Sequence, residues 1–323
     1  VYDITVPTSE HSFVDTGVVT HNCVEQTLED RELCTLCETF PAHHDSFEDF
    51  RKTLKVAYLY AKTVTLIPTH DEKTNQVMLK NRRIGCSMSG IVQAIEKRGL
   101  REHLRWCDEG YEYIQNVDRI YSDWLGIPES IKTTSVKPSG TVSQLAGSTP
   151  GIHFEHSPFF IRRMRVQDTS SYWKAAEEAG YPIEDDVYSD NTKVIEFPVR
   201  PDYLERSESD VSIWEMVKMA ALHQKWWSDN GVSCTVKFNE DEKDQIPYVL
   251  EAFERELKGI SFLPEEDHGY EQTPYEAISE EEYQKRKESV EAIDLSHAEH
   301  EKTDKFCGSE GCEVNFDEEE EDA

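Results

Sequence analysis

An α/β fold built on a mostly parallel sheet or barrel is the architecture this sequence predicts. Three observations carry it. Two segments show helical apolar spacing behind their own start signals, an alternating apolar strand follows the second of them, and helices alternate with short apolar strands from Cys23 to about residue 300.

The chain opens on a different pattern. Residues 1 to 22 alternate like a short strand pair: Val-Tyr-Asp-Ile-Thr-Val, a turn around Pro7 to Glu10, then His-Ser-Phe-Val. Asp15-Thr16-Gly17 reads as a further turn before Val18-Val19-Thr20, and the segment ends His21-Asn22 ahead of Cys23. In the middle of the chain Ser46 with Asp49 makes a capping box, after which Phe47, Phe50, Leu54, Ala57 and Ala61 recur at helical spacing. Ser212 and Glu215 open a second helix with Trp214, Val217 and Ala221 on one face. Asn230-Gly231 ends it, and Val232, Cys234, Val236 and Phe238 alternate as a strand with one buried face. From about residue 301 the chain is charged, lacks apolar periodicity and carries Cys307-Gly-Ser-Glu-Gly-Cys312, which reads as a mobile acidic tail. Three regions result: residues 1–22, a globular domain over 23–300, and the tail 301–323.

The formal net charge is -31, from 65 acidic and 34 basic residues. Such a surface repels nucleic acid and gives no long-range steering towards anions, so any phosphate-bearing substrate needs a local site. No apolar run reaches the ~18 residues of a membrane helix, and no basic-then-apolar leader is visible. A soluble, cytoplasmic protein without membrane or nucleic-acid partners is expected. Eight cysteines stand at 23, 34, 37, 86, 107, 234, 307 and 312, and in such a chain they fit thiols, redox centres or ligands better than a disulfide framework. Cys86, Cys107 and Cys234 read as core residues. His43, His44, His70, His153 and His156 match no ligand spacing, and no metal site is expected.

Several short patterns carry chemistry. An Asn amide can attack its own carbonyl and cleave the chain, with His as proton carrier and a following Cys as acyl acceptor; His21-Asn22-Cys23 permits this, and an incidental hairpin end also fits. Cys23 and Glu25 lie two apart, so an extended loop points both the same way, and a thiol beside a carboxylate suits hydrogen abstraction coupled to proton removal. Cys34 follows, and Cys34-Thr-Leu-Cys37 is equally half of a metal ribbon. Pro138-Ser-Gly-Thr-Val-Ser143 is either an anion-binding loop or an ordinary helix cap. Cys307 and Cys312 form a tethered dithiol able to exchange with a buried disulfide and an external reductant, or a surface pair.

Two resemblances choose among these readings. Residues 1–22 resemble the C-terminal blocks of inteins, at Tyr2-Asp3, His11 with Phe13, Gly17 and His21-Asn22. This implies that His21 assists, Asn22 cyclises and Cys23 is the first residue of the host protein. The upstream intein half is not in the sequence, so the chain is expected to need that half, in trans or in a longer reading frame. From Cys23 to Cys312 the chain resembles the monomeric, cobalamin-dependent ribonucleoside-triphosphate reductases, through ETFPAHHDSFEDF, KNRRIGCSMSGI, SIKTTSVKPSGTVSQLAGSTPGIHF, RVQD, VIEFPV, WWSDNGVSCTVKF and KGISFLPEEDHGY.

That second resemblance implies the second half of a ten-stranded α/β barrel, adenosylcobalamin as cofactor, a ribonucleoside triphosphate as substrate and thioredoxin or a similar dithiol as donor. By position, Cys23 matches the thiyl-radical cysteine that takes the 3′ hydrogen, Glu25 the base for the 3′-hydroxyl proton, and Cys34 one member of the reducing dithiol. Cys37 has no counterpart and reads as structural. Ser139, Gly140, Thr141, Val142 and Ser143 match the loop that cradles substrate phosphates, and Cys307 with Cys312 the electron-shuttling tail. The family has Asn-Pro before the radical cysteine where this chain has His21-Asn22, and its second reducing thiol and effector site lie upstream, so the unspliced chain is expected to be inactive. The rival readings are a protein-splicing precursor first and foremost, a diiron-dependent diphosphate reductase (against which stands the lack of a Tyr-Tyr pair), and a non-catalytic redox or metal-binding protein.

Overall fold

A computed structural model describes residues 12–15, 18–21, 26–140, 142–201, 206–264 and 272–294. Expectations for His11, Asn22, Cys23, Glu25, Thr141, Cys307 and Cys312 lie outside the described residues. In chain order the first elements are β1 (Ser12–Asp15), β2 (Val18–His21), β3 (Leu36–Thr39), α1 (Phe47–Val64), α2 (Glu72–Asn81), β4 (Gly85–Met88), α3 (Ile91–Arg98), α4 (Leu100–Leu125) and α5 (Val142–Leu145). There follow β5 (Phe160–Gln167), α6 (Ser171–Glu178), β6 (Ile183–Asp185), β7 (Thr192–Val199), α7 (Ile213–Trp226), β8 (Thr235–Phe238), α8 (Ile246–Phe253), β9 (Ser261–Pro264), β10 (Tyr275–Ala277) and α9 (Glu280–Glu288). Within the span read as one domain the chain divides into two compact units, residues 1–158 with 201–267 and residues 159–200 with 268–323.

The first unit carries the parallel pairing the sequence predicts. β3 pairs parallel with β4, Cys86 bridges to Thr134, Val136 bridges to Val232, and β8 pairs parallel with β9. Backbone hydrogen bonds join the series, among them Ser135 N to Cys86 O at 3.1 Å and Ser233 N to Val136 O at 2.8 Å. Helices intervene between successive members, as parallel connections require. Every residue of β4 is buried, which is how a short parallel strand covered on both sides reads.

The helix starts follow their sequence signals. Ser46 Oγ accepts from Asp49 N at 3.3 Å, while the Asp49 carboxylate turns to His44 Nδ1 at 2.7 Å, so the cap is one-sided and not a reciprocal box. Phe50, Leu54, Tyr58 and Ala61 then bury completely. Ser212 caps α7 in the same way, and Val217 and Ala221 are fully buried. Trp214 departs from the expected face: it is 38% exposed and donates its indole N–H to Gln245. Its amphipathic ring keeps a polar end wet where a smaller apolar residue would be drawn in. Val232 and Cys234 are buried just ahead of β8.

The core lies between the helices and the apolar side of the parallel series, with Phe50 stacked on Trp106 at a 5.8 Å centroid distance. It encloses an ion pair: Lys62 Nζ lies 2.6 Å from Asp118 Oδ1, and Tyr58 donates its hydroxyl to the same oxygen at 2.8 Å.

The second unit holds a four-stranded antiparallel sheet in the order β10-β5-β7-β6, with β5 and β7 in register from Phe160↔Val199 to Gln167↔Thr192. The expectation of parallel pairing does not extend to it. β5 reads FIRRMRVQ, whose arginines blur a period-2 signal, and their charge is met only in three dimensions. Arg163 Nε lies 2.8 Å from Glu196 Oε1, and Arg286 reaches the other oxygen of Glu196 at 2.8 Å. Apart from both units' sheets, β1 and β2 form an antiparallel hairpin with Ser12 opposite His21. No described helix is long and apolar enough to cross a membrane.

Candidate functional site

Strand alternation splits the parallel series into two chemically different faces. Ile84, Cys86, Met88, Val136, Val232, Cys234 and Val236 all belong to the hydrophobic core. The residues between them are polar or absent side chains: Glu38 is opposite Ser87 in the β3–β4 register, and Gly85, Ser89, Ser135 and Lys137 occupy the matching positions. Glu38 Oε1 accepts from Ser89 Oγ at 2.6 Å and from Ser87 Oγ at 3.2 Å, and its Oε2 lies 3.5 Å from Lys137 Nζ. Ser87 Oγ in turn accepts from Lys137 N at 3.0 Å, and Ser89 Oγ from Gly151 N at 3.0 Å.

Two glycines make this face possible. A Cβ on Gly85 would stand 2.4 Å from the Leu36 side chain and 2.6 Å from Gln26 Nε2, so glycine is what lets Gln26 lie against the strand. Gly151 sits at φ +51°, and a Cβ there would stand 2.3 Å from the Lys137 carbonyl.

Lys137 leads into the loop read as a phosphate cradle. Ser139 is at φ +47°, a left-handed conformation that a non-glycine residue adopts at a cost of about 1 kcal/mol or more. Its carbonyl receives Ser143 N at 3.3 Å and the Ser143 hydroxyl, closing a tight turn into the single turn of α5. Gly140 is half-buried, Val142 is 40% exposed and Ser143 is fully buried. Ser139 Oγ, Gln144 Nε2, Thr149 Oγ1 and Gln26 Oε1 are buried without a hydrogen-bond partner. Each such atom costs about 1–3 kcal/mol, a cost that a bound polar ligand offsets. They are four of the eight such side-chain atoms among the described residues, and they belong to this loop and to the segment lying on Gly85.

The other predicted residues fall as follows. Cys34 is exposed. Cys37 lies directly opposite Cys86 on the core side of β3 and β4, and a hydrogen bond from Cys37, then burial, pushes the Cys86 thiol well up. His43 Nε2 is 3.2 Å from Ser148 Oγ, and His156 Nδ1 pairs with Glu208 at 2.5 Å. His153 donates from Nδ1 to the Pro150 carbonyl at 3.2 Å and accepts Thr235 N at Nε2 at 3.0 Å, so both its nitrogens are engaged.

Sequence reasoning missed Glu38, Ser87, Ser89 and Lys137, since none stands in a motif by itself. Burial pushes the Glu38 carboxyl up to about 7 against the opposing pull of Ser89 and Lys137. An acid raised in the folded state favours folding fully below its ordinary value of about 4.5 and loses that contribution as pH climbs through about 7. Glu38→Gln cannot ionise. Its stability relative to the parent chain should therefore improve by about 2.5 kcal/mol between pH 5 and pH 8. Urea denaturation of both proteins at the two pH values measures this, and parallel pH profiles would refute the raised carboxyl.

With this geometry in hand, the chain can be compared with known proteins. No protein-family model matches it. It is 46% identical over 325 residues to a probable adenosylcobalamin-dependent ribonucleoside-triphosphate reductase of Dictyostelium discoideum, covering 98% of this chain and 43% of that protein. The adenosylcobalamin-dependent ribonucleoside-triphosphate reductases of Euglena gracilis and Lactobacillus leichmannii are 45% and 35% identical, over 90% and 84% of this chain and 41% of each of theirs. The crystal structure of a B-12-dependent class II ribonucleotide reductase superposes with a TM-score of 0.72 at 34% identity, over 83% of this chain and 41% of that one. The class Id reductase alpha subunit of Actinobacillus ureae, at 14% identity and a TM-score of 0.52, shares the fold. The Dictyostelium match leaves so little of the chain outside that it takes in part of residues 1–22.

The relatives are named as adenosylcobalamin-dependent enzymes. The chain spans about two fifths of the length of the curated relatives it matches. Over nearly all of its own length, this chain is homologous to that portion of the adenosylcobalamin-dependent ribonucleoside-triphosphate reductases.

Proposed function

We propose that this chain supplies the C-terminal part of a ribonucleoside-triphosphate reductase, with the parallel series as the second half of its ten-stranded barrel and the polar face as its substrate side. The observation that carries this is the joining of Glu38, Ser87 and Lys137 to a loop rich in buried, unpartnered polar atoms. The Lys137 ammonium and Ser139 to Ser143 would hold the triphosphate, a local anion site that an acidic chain requires.

On this reading Cys23 takes the 3′ hydrogen as a thiyl radical, and Glu25 takes the 3′-hydroxyl proton as water leaves C2′. Cys34 and a second thiol from the missing portion then supply two electrons and two protons and end as a disulfide. Cys307 and Cys312 reduce that disulfide by thiol exchange, themselves oxidised and then restored by a dithiol donor such as thioredoxin. The radical returns to Cys23 when the 3′ hydrogen is given back, so the net change is one C–OH replaced by C–H, one water and one disulfide.

The intein reading of residues 1–22 rests on the hairpin that ends at His21, immediately before Asn22 and Cys23. The reach of the Dictyostelium match into this segment points the other way. Co-expression with the upstream half, followed by intact mass, separates the two. Splicing yields a product lacking residues 1–22 and joined to the upstream protein. An unchanged mass refutes splicing. Turnover of a ribonucleoside triphosphate by the assembled protein with its cofactor then tests the reductase reading independently, and a folded, assembled protein without turnover would refute it.

A further inference from the structure

One cluster of metal-binding side chains stands apart from the polar face, between α4 and α7. His103 and Cys107 lie one turn apart on α4, so both project from the same side of that helix. His223 comes from α7. His103 and Cys107 are both 0% exposed, as is His223. His103 Nε2 is 3.0 Å from His223 Nε2, Cys107 Sγ is 3.5 Å from His103 Nε2, and all three donor atoms lie within 4.8 Å of one another.

The protons can be placed. His223 Nδ1 lies 2.8 Å from the Met219 carbonyl, which only an N–H can approach, so that nitrogen carries the ring proton. Its Nε2 therefore presents a bare lone pair to the cluster. A carbonyl fixing the far nitrogen of an imidazole is the arrangement that orients histidine ligands in metal sites. Without an ion, one proton between the two Nε2 atoms must serve both rings, and the Cys107 sulfur faces an N–H already committed. With an ion, both lone pairs and the sulfur have a shared partner. Zinc–nitrogen and zinc–sulfur bonds of ordinary length give tetrahedral edges of about 3.3 Å between nitrogens and about 3.5 Å between nitrogen and sulfur. The His103–His223 and Cys107–His103 distances already present are close to these.

We propose that His103 Nε2, Cys107 Sγ and His223 Nε2 form a buried site for a borderline-soft divalent ion of the zinc class, tying α4 to α7. Binding releases the Cys107 thiol proton and shifts the His103 proton from Nε2 to Nδ1, an atom buried without a hydrogen-bond partner, so an S–H bond is exchanged for a metal–sulfur bond without any change in oxidation state. The ion holds two core helices together and takes no part in the polar face on the strands.

The test uses the chain as it stands, purified under reducing conditions with zinc in the medium. Elemental mass spectrometry should find about one zinc per chain, retained by a Cys307→Ser/Cys312→Ser variant and falling below about a tenth in Cys107→Ser and His223→Gln. Cobalt exchanged into the tail-thiol variant should show a thiolate-to-cobalt charge-transfer band, and Cys107→Ser should lack it. If the cluster variants fail to fold, the cobalt spectrum of the tail-thiol variant still decides. A folded protein with neither zinc nor that band overturns the proposal, as does metal that leaves with Cys307 and Cys312.

Discussion

Asp118→Ala should cost this fold about 3–5 kcal/mol, the largest loss expected of any single substitution away from the site. Asp118 and Lys62 have side chains 3% and 0% exposed, and their contact is 2.6 Å. The carboxylate does more than pair. It also accepts the Tyr58 hydroxyl at 2.8 Å and, through Oδ2, the backbone N–H of Ser130 at 2.8 Å. Alanine would leave the Lys62 ammonium with only the Pro128 carbonyl at 3.2 Å and the Ser130 hydroxyl at 3.0 Å. Burial already pulls the Lys62 pKa down, held against by Asp118, so removing that carboxylate should lower it further. Urea denaturation gives the measurement. Converting both partners to apolar residues of similar size, Lys62→Met with Asp118→Leu, should recover most of the loss, because no charge is then stranded. A single-variant midpoint equal to the parent's would show that the network carries no net stability.

Cys23→Ser in the complete reductase should lower turnover by at least about a thousandfold while leaving nucleoside triphosphate affinity within about twofold. An O–H bond is stronger than an S–H bond, so serine cannot be converted to the hydrogen-abstracting radical that a thiol permits. The substitution also separates the two tasks proposed for this residue. A hydroxyl still accepts an acyl group, so splicing should continue, more slowly, in Cys23→Ser, whereas Cys23→Ala should stop both processes. Intact mass reads the first outcome and deoxynucleotide formation the second. Undiminished turnover in the serine variant would remove Cys23 from the radical role.

What the sequence by itself determined was local. Ser46 and Ser212 mark helix starts because a hydroxyl one residue ahead of the first turn can only satisfy nearby N–H groups, and both caps are present. Val232, Cys234 and Val236 announce a buried face because strand alternation is fixed by the backbone, and all three are buried. The loop at Ser139 could be singled out by its small hydroxyl residues around a glycine, although its helix proved a single turn.

The tertiary structure decided which distant residues share a face. Glu38, Ser87, Ser89 and Lys137 come from three segments of the chain, and only the parallel register Glu38↔Ser87 aims them together. Strands of four residues, as β3 and β4 are, are too short for a periodic signal to fix that register in advance. The antiparallel sheet of β5 and β7 stayed hidden because Arg163 of β5 finds its carboxylates across strands, Glu196 on β7 and Glu276 on β10. His103, Cys107 and His223 escaped notice for the same reason. The first two could have been read as a one-turn pair on a helix, but the third donor is 116 residues beyond Cys107 and arrives only when α7 packs on α4. Pairing across such distances is set by the burial of whole helix and sheet faces, a property of the folded chain and not of any window of its sequence.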